Sequence, residues 1–207
     1  MTPGLSIVGA LLIGVLLWLA NGIRQIGAVS AGEMIGARER TALILVDLQT
    51  VFWDDGPYPE TDRAGAKAAI LDEIRAAREN GHPVIALRQE WSIPSTKVIA
   101  RLLMKGQAVA GTAGTDVATP FANLADHELV KRVQDGFETG ELDPLLSTLG
   151  VGRLRIVGLD YSYCVQKTAL AARARGFDVV VVEGGTLAAA ARGVAKARMA
   201  AQGVVFA

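Results

Sequence analysis

Apolar positions along this chain fall into two regimes. From Leu5 to Ile23 the residues LSIVGALLIGVLLWLANGI carry no charge, and only Ser6 and Asn21 are clearly polar. As a helix rising about 1.5 Å per residue, roughly 19 residues reach across a hydrocarbon core about 30 Å thick. Trp18 near one end suits an interfacial anchor. The expectation is one transmembrane helix within residues 1–24, single-pass. A cleaved signal peptide and a buried core helix are the alternatives, the first helped by the small residues Val29-Ser30-Ala31 and opposed by the lack of Lys or Arg before Leu5. Arg24, Arg38 and Arg40 follow the span, which under the positive-inside rule puts the remaining chain on the cytoplasmic side of an inner membrane. Residues 25–40 mix Gly, Ala and polar side chains without periodicity and read as a linker.

The second regime starts at Thr41, where short apolar runs alternate with longer helical stretches to the C-terminus. Strands are expected at about 41–47, 83–88, 128–131, 153–158, 178–182 and 203–206, with helices at about 62–80, 95–104, 141–149, 163–175 and 187–201. Asn80-Gly81 and Gly176 supply helix stops. This rhythm predicts a three-layer α/β/α sandwich on a mainly parallel six-stranded sheet, one domain over 41–207. At 207 residues there is no room for a second full α/β domain.

Charge and cysteine content narrow the partners. Lys plus Arg and Asp plus Glu both number 21, leaving no excess charge with which to hold nucleic acid. A single cysteine excludes an internal disulfide framework. The two histidines, His82 and His127, both precede or open strands, away from the carboxyl ends where α/β sheets bind ligands. They stand at no zinc-ligand spacing, so neither a metal nor a cofactor is expected.

The strand-end rule selects three side chains. Asp47 ends the first strand, Lys131 ends the third, and Cys164 opens the helix after the fourth. A helix start and a nearby ammonium both favour a thiolate, so Cys164 beside Lys131 is expected to be an activated nucleophile, with Asp47 moving its proton. Each residue also has a plainer reading: an isolated cysteine packs as a small apolar residue, Asp47 caps a loop, and Lys131 meets solvent. Phe52, Trp53, Trp91, Tyr161 and Tyr163 are the aromatic residues near these positions and are expected around the pocket.

The blocks LILVDLQTVFWDD, GTAGTDVA and LVKRVQDGFETGELDPLLSTLGVGRLRIVGLDYSYCVQKTALAARARGFDVVVVEGG resemble, in order and spacing, the isochorismatase-like cysteine hydrolases, the superfamily of nicotinamidases and N-carbamoyl amidohydrolases. The resemblance runs from Thr41 to the C-terminus. It implies a catalytic triad of Asp47, Lys131 (six residues before Phe137) and Cys164 (before Val165). It also implies an oxyanion hole from the backbone N–H groups of Asp160 and Cys164, with a cis peptide between Leu159 and Asp160. The implied reaction is thiolate attack on an amide-like carbon of a small molecule, release of ammonia or an amine, and hydrolysis of the thioester. Departures from the pattern are Asp160 where a small apolar residue is common, Ser162 where an Asp is common, and Glu138-Thr139-Gly140 after Phe137. Arg88-Gln89-Glu90-Trp91 stands where nicotinamidases carry an Asp-x-His metal motif, which argues against nicotinamide and against a metal. Two functions follow as expectations: a membrane-anchored amidohydrolase, able to self-associate as family members do, or a weakly active or inactive accessory subunit. In the second, the helix touches lipid and docks into a larger membrane assembly such as a respiratory or photosynthetic complex.

Overall fold

A computed structural model describes the chain from Pro3, with side chains from Val8; Met1 and Thr2, with which the expected anchor begins, lie outside the described residues. Six strands form at Arg40–Val46 (β1), Val84–Gln89 (β2), His127–Lys131 (β3), Val151–Gly158 (β4), Asp178–Thr186 (β5) and Val205–Phe206 (β6). They assemble in the order β3-β2-β1-β4-β5-β6, every pairing parallel. Parallel neighbours need crossover helices, which cover both faces, and central strands are therefore apolar on both sides.

Successive residues of β1 show how the two cores arise. Leu43 and Leu45 face the helix Glu60–Glu79 (α3), which follows a short turn of helix at Thr50–Trp53 (α2) and brings Ala66, Ile70, Ile74 and Ala77 down on one stripe. Ala42, Ile44 and Val46 face the opposite layer, built from Leu142–Thr148 (α5), Gln166–Ala174 (α6) and Gly193–Ala201 (α7), with Pro94–Leu103 forming the intervening helix α4. The expected last helix starts later than its sequence suggests. Residues 187–192 stay irregular because their backbone is engaged elsewhere: Leu187 O accepts from Tyr161 N–H, Ala189 N–H donates to Asp160, and the Arg192 guanidinium donates to Glu183 O and Thr186 O.

Before the sheet lies one long helix, Pro3–Ile26 (α1), long and apolar enough to cross a membrane by length and composition. From Val8 to Trp18 its large apolar side chains are exposed. Its final two turns are covered on one side, with Ile23 on the other still exposed. Leu19 and Ile26 pack with Ile99, Ala100, Trp91 and Val109, and Gly22 lies so close to α4 that a methyl group there would overlap Ile99 and Ser95. The segment that follows is strapped to the domain. Ser30 N–H donates to Asp135 at 2.7 Å, and the buried Arg175 donates to Ser30 O and Ala31 O at 3.0 Å each while pairing with Asp143 at 2.9 Å.

At the end of β4 the backbone turns through Gly158, with φ +118°, against the Val46 carbonyl oxygen. A Cβ there would collide with that oxygen in a backbone region closed to L side chains. Gly158→Ala is therefore expected to cost at least about 2 kcal/mol, seen as a lower urea midpoint with an unchanged slope for the full chain in detergent.

Candidate active site

The strand order reverses between β1 and β4, and at that switch the carboxyl ends of a parallel sheet open a crevice. Asp47 follows β1 in a left-handed conformation, φ +52°, with its N–H donated to Leu87 O at 2.9 Å. Such a conformation in a non-glycine residue stores about 1 kcal/mol or more and gathers at functional positions. Lys131 ends β3, two strands away, and β2 lies between them with Gln89 in register with Lys131. The lysine reaches across. Its Nζ lies 3.0 Å from Asp47 Oδ2 and donates to Gln89 Oε1 at 2.6 Å and Val133 O at 3.3 Å, which uses all three of its N–H bonds. Gln89 is itself fixed: its N–H donates to Gln49 Oε1 at 2.7 Å, and Gln49 Nε2 returns a bond to Gln89 O at 3.0 Å.

Cys164 arrives from the other side of the switch, on a wide π-helical turn, Tyr161–Val165, that runs into α6. The turn starts on Asp160, whose Oδ1 accepts from Ser162 N–H at 2.8 Å and whose Oδ2 accepts from Ala189 N–H at 2.6 Å and Tyr58 Oη–H at 3.3 Å. Three donors thus hold this carboxylate as a cap. The Asp160 N–H has no hydrogen-bond acceptor among the described residues. No cis peptide occurs among the described residues, which corrects the expected cis bond between Leu159 and Asp160; Gly158 and the wide turn redirect the chain instead.

Asp47, Lys131 and Cys164 are 2%, 1% and 8% exposed, and the thiol lies close enough to the ion pair for both charges to act on it. Burial pushes the Cys164 thiol well up and Asp47 adds to this, while Lys131 opposes them without reversing the sum. Burial also raises the Asp47 carboxyl, partly offset by Lys131 and the thiol. For Lys131, burial alone would lower the pKa, but Asp47 and Cys164 outweigh it and the ammonium is held charged. These shifts favour a neutral thiol at Cys164 and a charged ammonium at Lys131. Desolvation and the neighbouring carboxylate outweigh the lysine in setting the thiol's pKa. Asp47 Oδ1 has no hydrogen-bond partner among the described residues.

A cavity of about 360 Å³ opens over these groups. Phe52, Trp91 and Tyr163 line it, together with Tyr58, Met104, Gln89 and Gln134. Trp53 and Tyr161, expected there as well, lie elsewhere. Trp53 is packed edge-on against Phe121, centroids 4.7 Å apart, under α3. Tyr161 is buried in the opposite layer, its ring beneath Arg192 and its hydroxyl donating to Glu183, with burial and that carboxylate pushing its pKa up to about 12. Tyr58, Met104 and Gln107 escaped the sequence reading because loops and a helix end bring them in. Gln89 did carry a signal: it is a polar residue closing an apolar strand between those that end in Asp47 and Lys131. Among the described residues no three His, Cys, Asp or Glu side chains gather in a metal-holding group, and Glu90 is engaged by Arg88 at 3.0 Å, so the residues present do not fit a metal.

A parallel α/β sheet here buries an acid, an amine and a thiol together at its switch point. The chain belongs to the isochorismatase family: residues 41–206 match the Isochorismatase domain. It is 28% identical over 163 residues, 72% of this chain and 81% of the relative, to a probable inactive nicotinamidase of Arabidopsis thaliana. The pyrazinamidase of Pyrococcus horikoshii, solved in complex with zinc, superposes with a TM-score of 0.68 at 26% identity, covering 82% of this chain and 99% of that one. N-carbamoylsarcosine amidase from Thermoplasma acidophilum shares the fold with a TM-score of 0.70 at 23% identity, over 81% and 95% of the two chains. The family is one of hydrolases.

Two measurements test the electrostatics. Lys131→Met strands a buried carboxylate and is expected to cost about 3–5 kcal/mol in urea unfolding, whereas adding Asp47→Asn recovers much of the loss. Iodoacetamide is expected to label Cys164 more slowly than free cysteine at neutral pH. Because the thiol pKa is raised, the thiolate fraction is smaller at every pH below it, and the labelling rate should still be climbing at about pH 9, where an ordinary thiol begins to level off.

Proposed function

We propose that this chain is a membrane-anchored cysteine hydrolase that cleaves an amide-like C–N bond of a small molecule through a thioester on Cys164. The observation that carries the reading is the contact of Asp47, Lys131 and Cys164 beneath an open cavity. The substrate's carbonyl carbon takes the sulfur as Asp47 Oδ1 takes the thiol proton, so charge moves from the carboxylate toward the new tetrahedral centre without a free thiolate being formed. Lys131 stays protonated and holds Asp47 in place. The N–H groups of Asp160 and Cys164 are the donors for the developing oxyanion, the first supported by its lack of another acceptor. The proton on Asp47 passes to the leaving nitrogen, and Asp47 then accepts a proton from the water that opens the thioester. Helix α1 is read as the anchor, with the hydrolase domain on the cytoplasmic face of an inner membrane; what supports this is its exposed apolar run from Val8 to Trp18.

A second reading, an inactive accessory subunit docked by α1 into a larger membrane complex, is favoured by the same exposed helix and by the Arabidopsis relative described as probably inactive. Ammonia or amine release from a panel of primary amides and N-carbamoyl compounds separates the two. Turnover that falls by about 10³-fold or more in Cys164→Ser and in Asp47→Asn, with an acyl-enzyme trapped on Cys164 by mass spectrometry, is the expected result. No turnover together with a stoichiometric membrane partner would favour the second. Asp47 must be ionised to work and burial raises its pKa, so activity should fall with decreasing pH through a limb lying above the ordinary Asp value of 3.8.

A further inference from the structure

Resting on the anchored-hydrolase reading, we propose that the cavity draws its substrate from the bilayer: an amphiphilic amide whose reacting head enters the pocket while its apolar tail remains along the end of α4. Three observations lead there.

The first is where the exposed run of α1 ends. Its large apolar side chains are exposed from Val8 to Trp18, and from Leu19 onward the helix is docked on the domain. An inserted α1 therefore brings the membrane surface close to its own docking site, and α4, the helix it docks on, sits near the interface rather than in bulk water.

The second is what α4 offers at that level. Its last two residues, Leu102 and Leu103, are 70% and 71% exposed, and the exposed Arg101 and Lys105 flank them. Paired leucines bracketed by cations suit an interface of acyl chains and anionic headgroups. Continuity with α1 identifies the occupant of this patch as lipid.

The third joins the patch to the chemistry. Directly after Leu103, Met104 enters the cavity wall, followed by Gln107, which is held by a bond from its Nε2 to Val51 O at 3.1 Å. Trp91, another wall residue, belongs to the cluster on which Ile26 packs, and Gln134 of the same wall donates its N–H to Ile26 O at 3.1 Å. One side of the pocket is thus the reverse face of the anchor's docking site. Its apolar lining of Phe52, Trp91 and Met104 suits an alkyl or acyl substituent, and the cation-free cavity side has no arginine or lysine to hold an anionic head.

The test uses the full-length protein in vesicles of phosphatidylcholine and phosphatidylglycerol. At about pH 8.5, Cys164 is alkylated with N-methyl chloroacetamide or with N-dodecyl chloroacetamide; in each case the C–S bond forms, chloride leaves and the thiol proton passes to buffer. The expected result is dodecyl labelling at least about 10-fold faster, falling to within about twofold of the methyl probe in Leu102→Glu/Leu103→Glu while methyl labelling is unchanged. Equal rates in the unaltered protein overturn the proposal. So does a tail preference that survives the double substitution, since partitioning of the probe alone then explains it, or a double substitution that dissolves an oligomer and leaves the preference intact, which assigns the patch to a second copy. Methyl labelling of vesicle-bound protein without a tail preference removes this inference and spares the hydrolase reading. Failure of both probes at Cys164, or failure of the protein to sediment with the vesicles, removes the underlying reading and this inference with it.

Discussion

A carboxylate and an ammonium removed from water together repay their desolvation only when geometry is good and their remaining hydrogen-bonding capacity is met; at the centre of this domain Lys131 meets those terms in full, and Asp47 keeps one oxygen, Oδ1, unpartnered among the described residues. The pair is 3.0 Å apart with both groups all but sealed from solvent. It bridges β1 and β3 over the top of β2, so it exists only if all three strands hold their parallel register. Gln89 supplies the acceptor that completes the ammonium, and Gln49 fixes Gln89 in turn. The crevice, the cavity and the setting of Cys164 all follow from this buried bridge.

The thiol's behaviour depends on the same bridge. Beside the Asp47–Lys131 pair, an anion at Cys164 is disfavoured by burial and by Asp47 more than Lys131 favours it. Asp47 Oδ1, without a partner among the described residues, is left open to accept a proton. A buried thiol held in its neutral form is protected from oxidation and general alkylation.

Outside the sheet, the N-terminal helix and the strap after it are built into the domain's surface. Gly22 permits close contact with α4, and Arg175 and Asp135 clamp residues 30 and 31. The N-terminal helix and the candidate site consequently share residues at their boundary, Ile26 with Gln134 and Trp91, so the position of the helix and the shape of one cavity wall are mechanically linked.

The alternation of apolar strands and amphipathic helices, the polar residues closing those strands, and the uncharged N-terminal run were all legible in the chain, because period, side-chain type and chain direction are local properties that survive without a partner. Asp47, Lys131 and Cys164 could be proposed together for the same reason: parallel strands deliver their ends to one edge whatever their order. Neighbouring aromatics could not be sorted. Phe52 and Trp53 are adjacent on one turn of helix, so one faces the cavity and the other the α3 layer, and Tyr161 and Tyr163 part in the same way around the wide turn. Nor could the thiol's protonation be read in advance. A side chain's type sets its ordinary pKa, but the water removed from around it and the sign of the nearest charge are set by residues distant in sequence, and only the packed structure decides them.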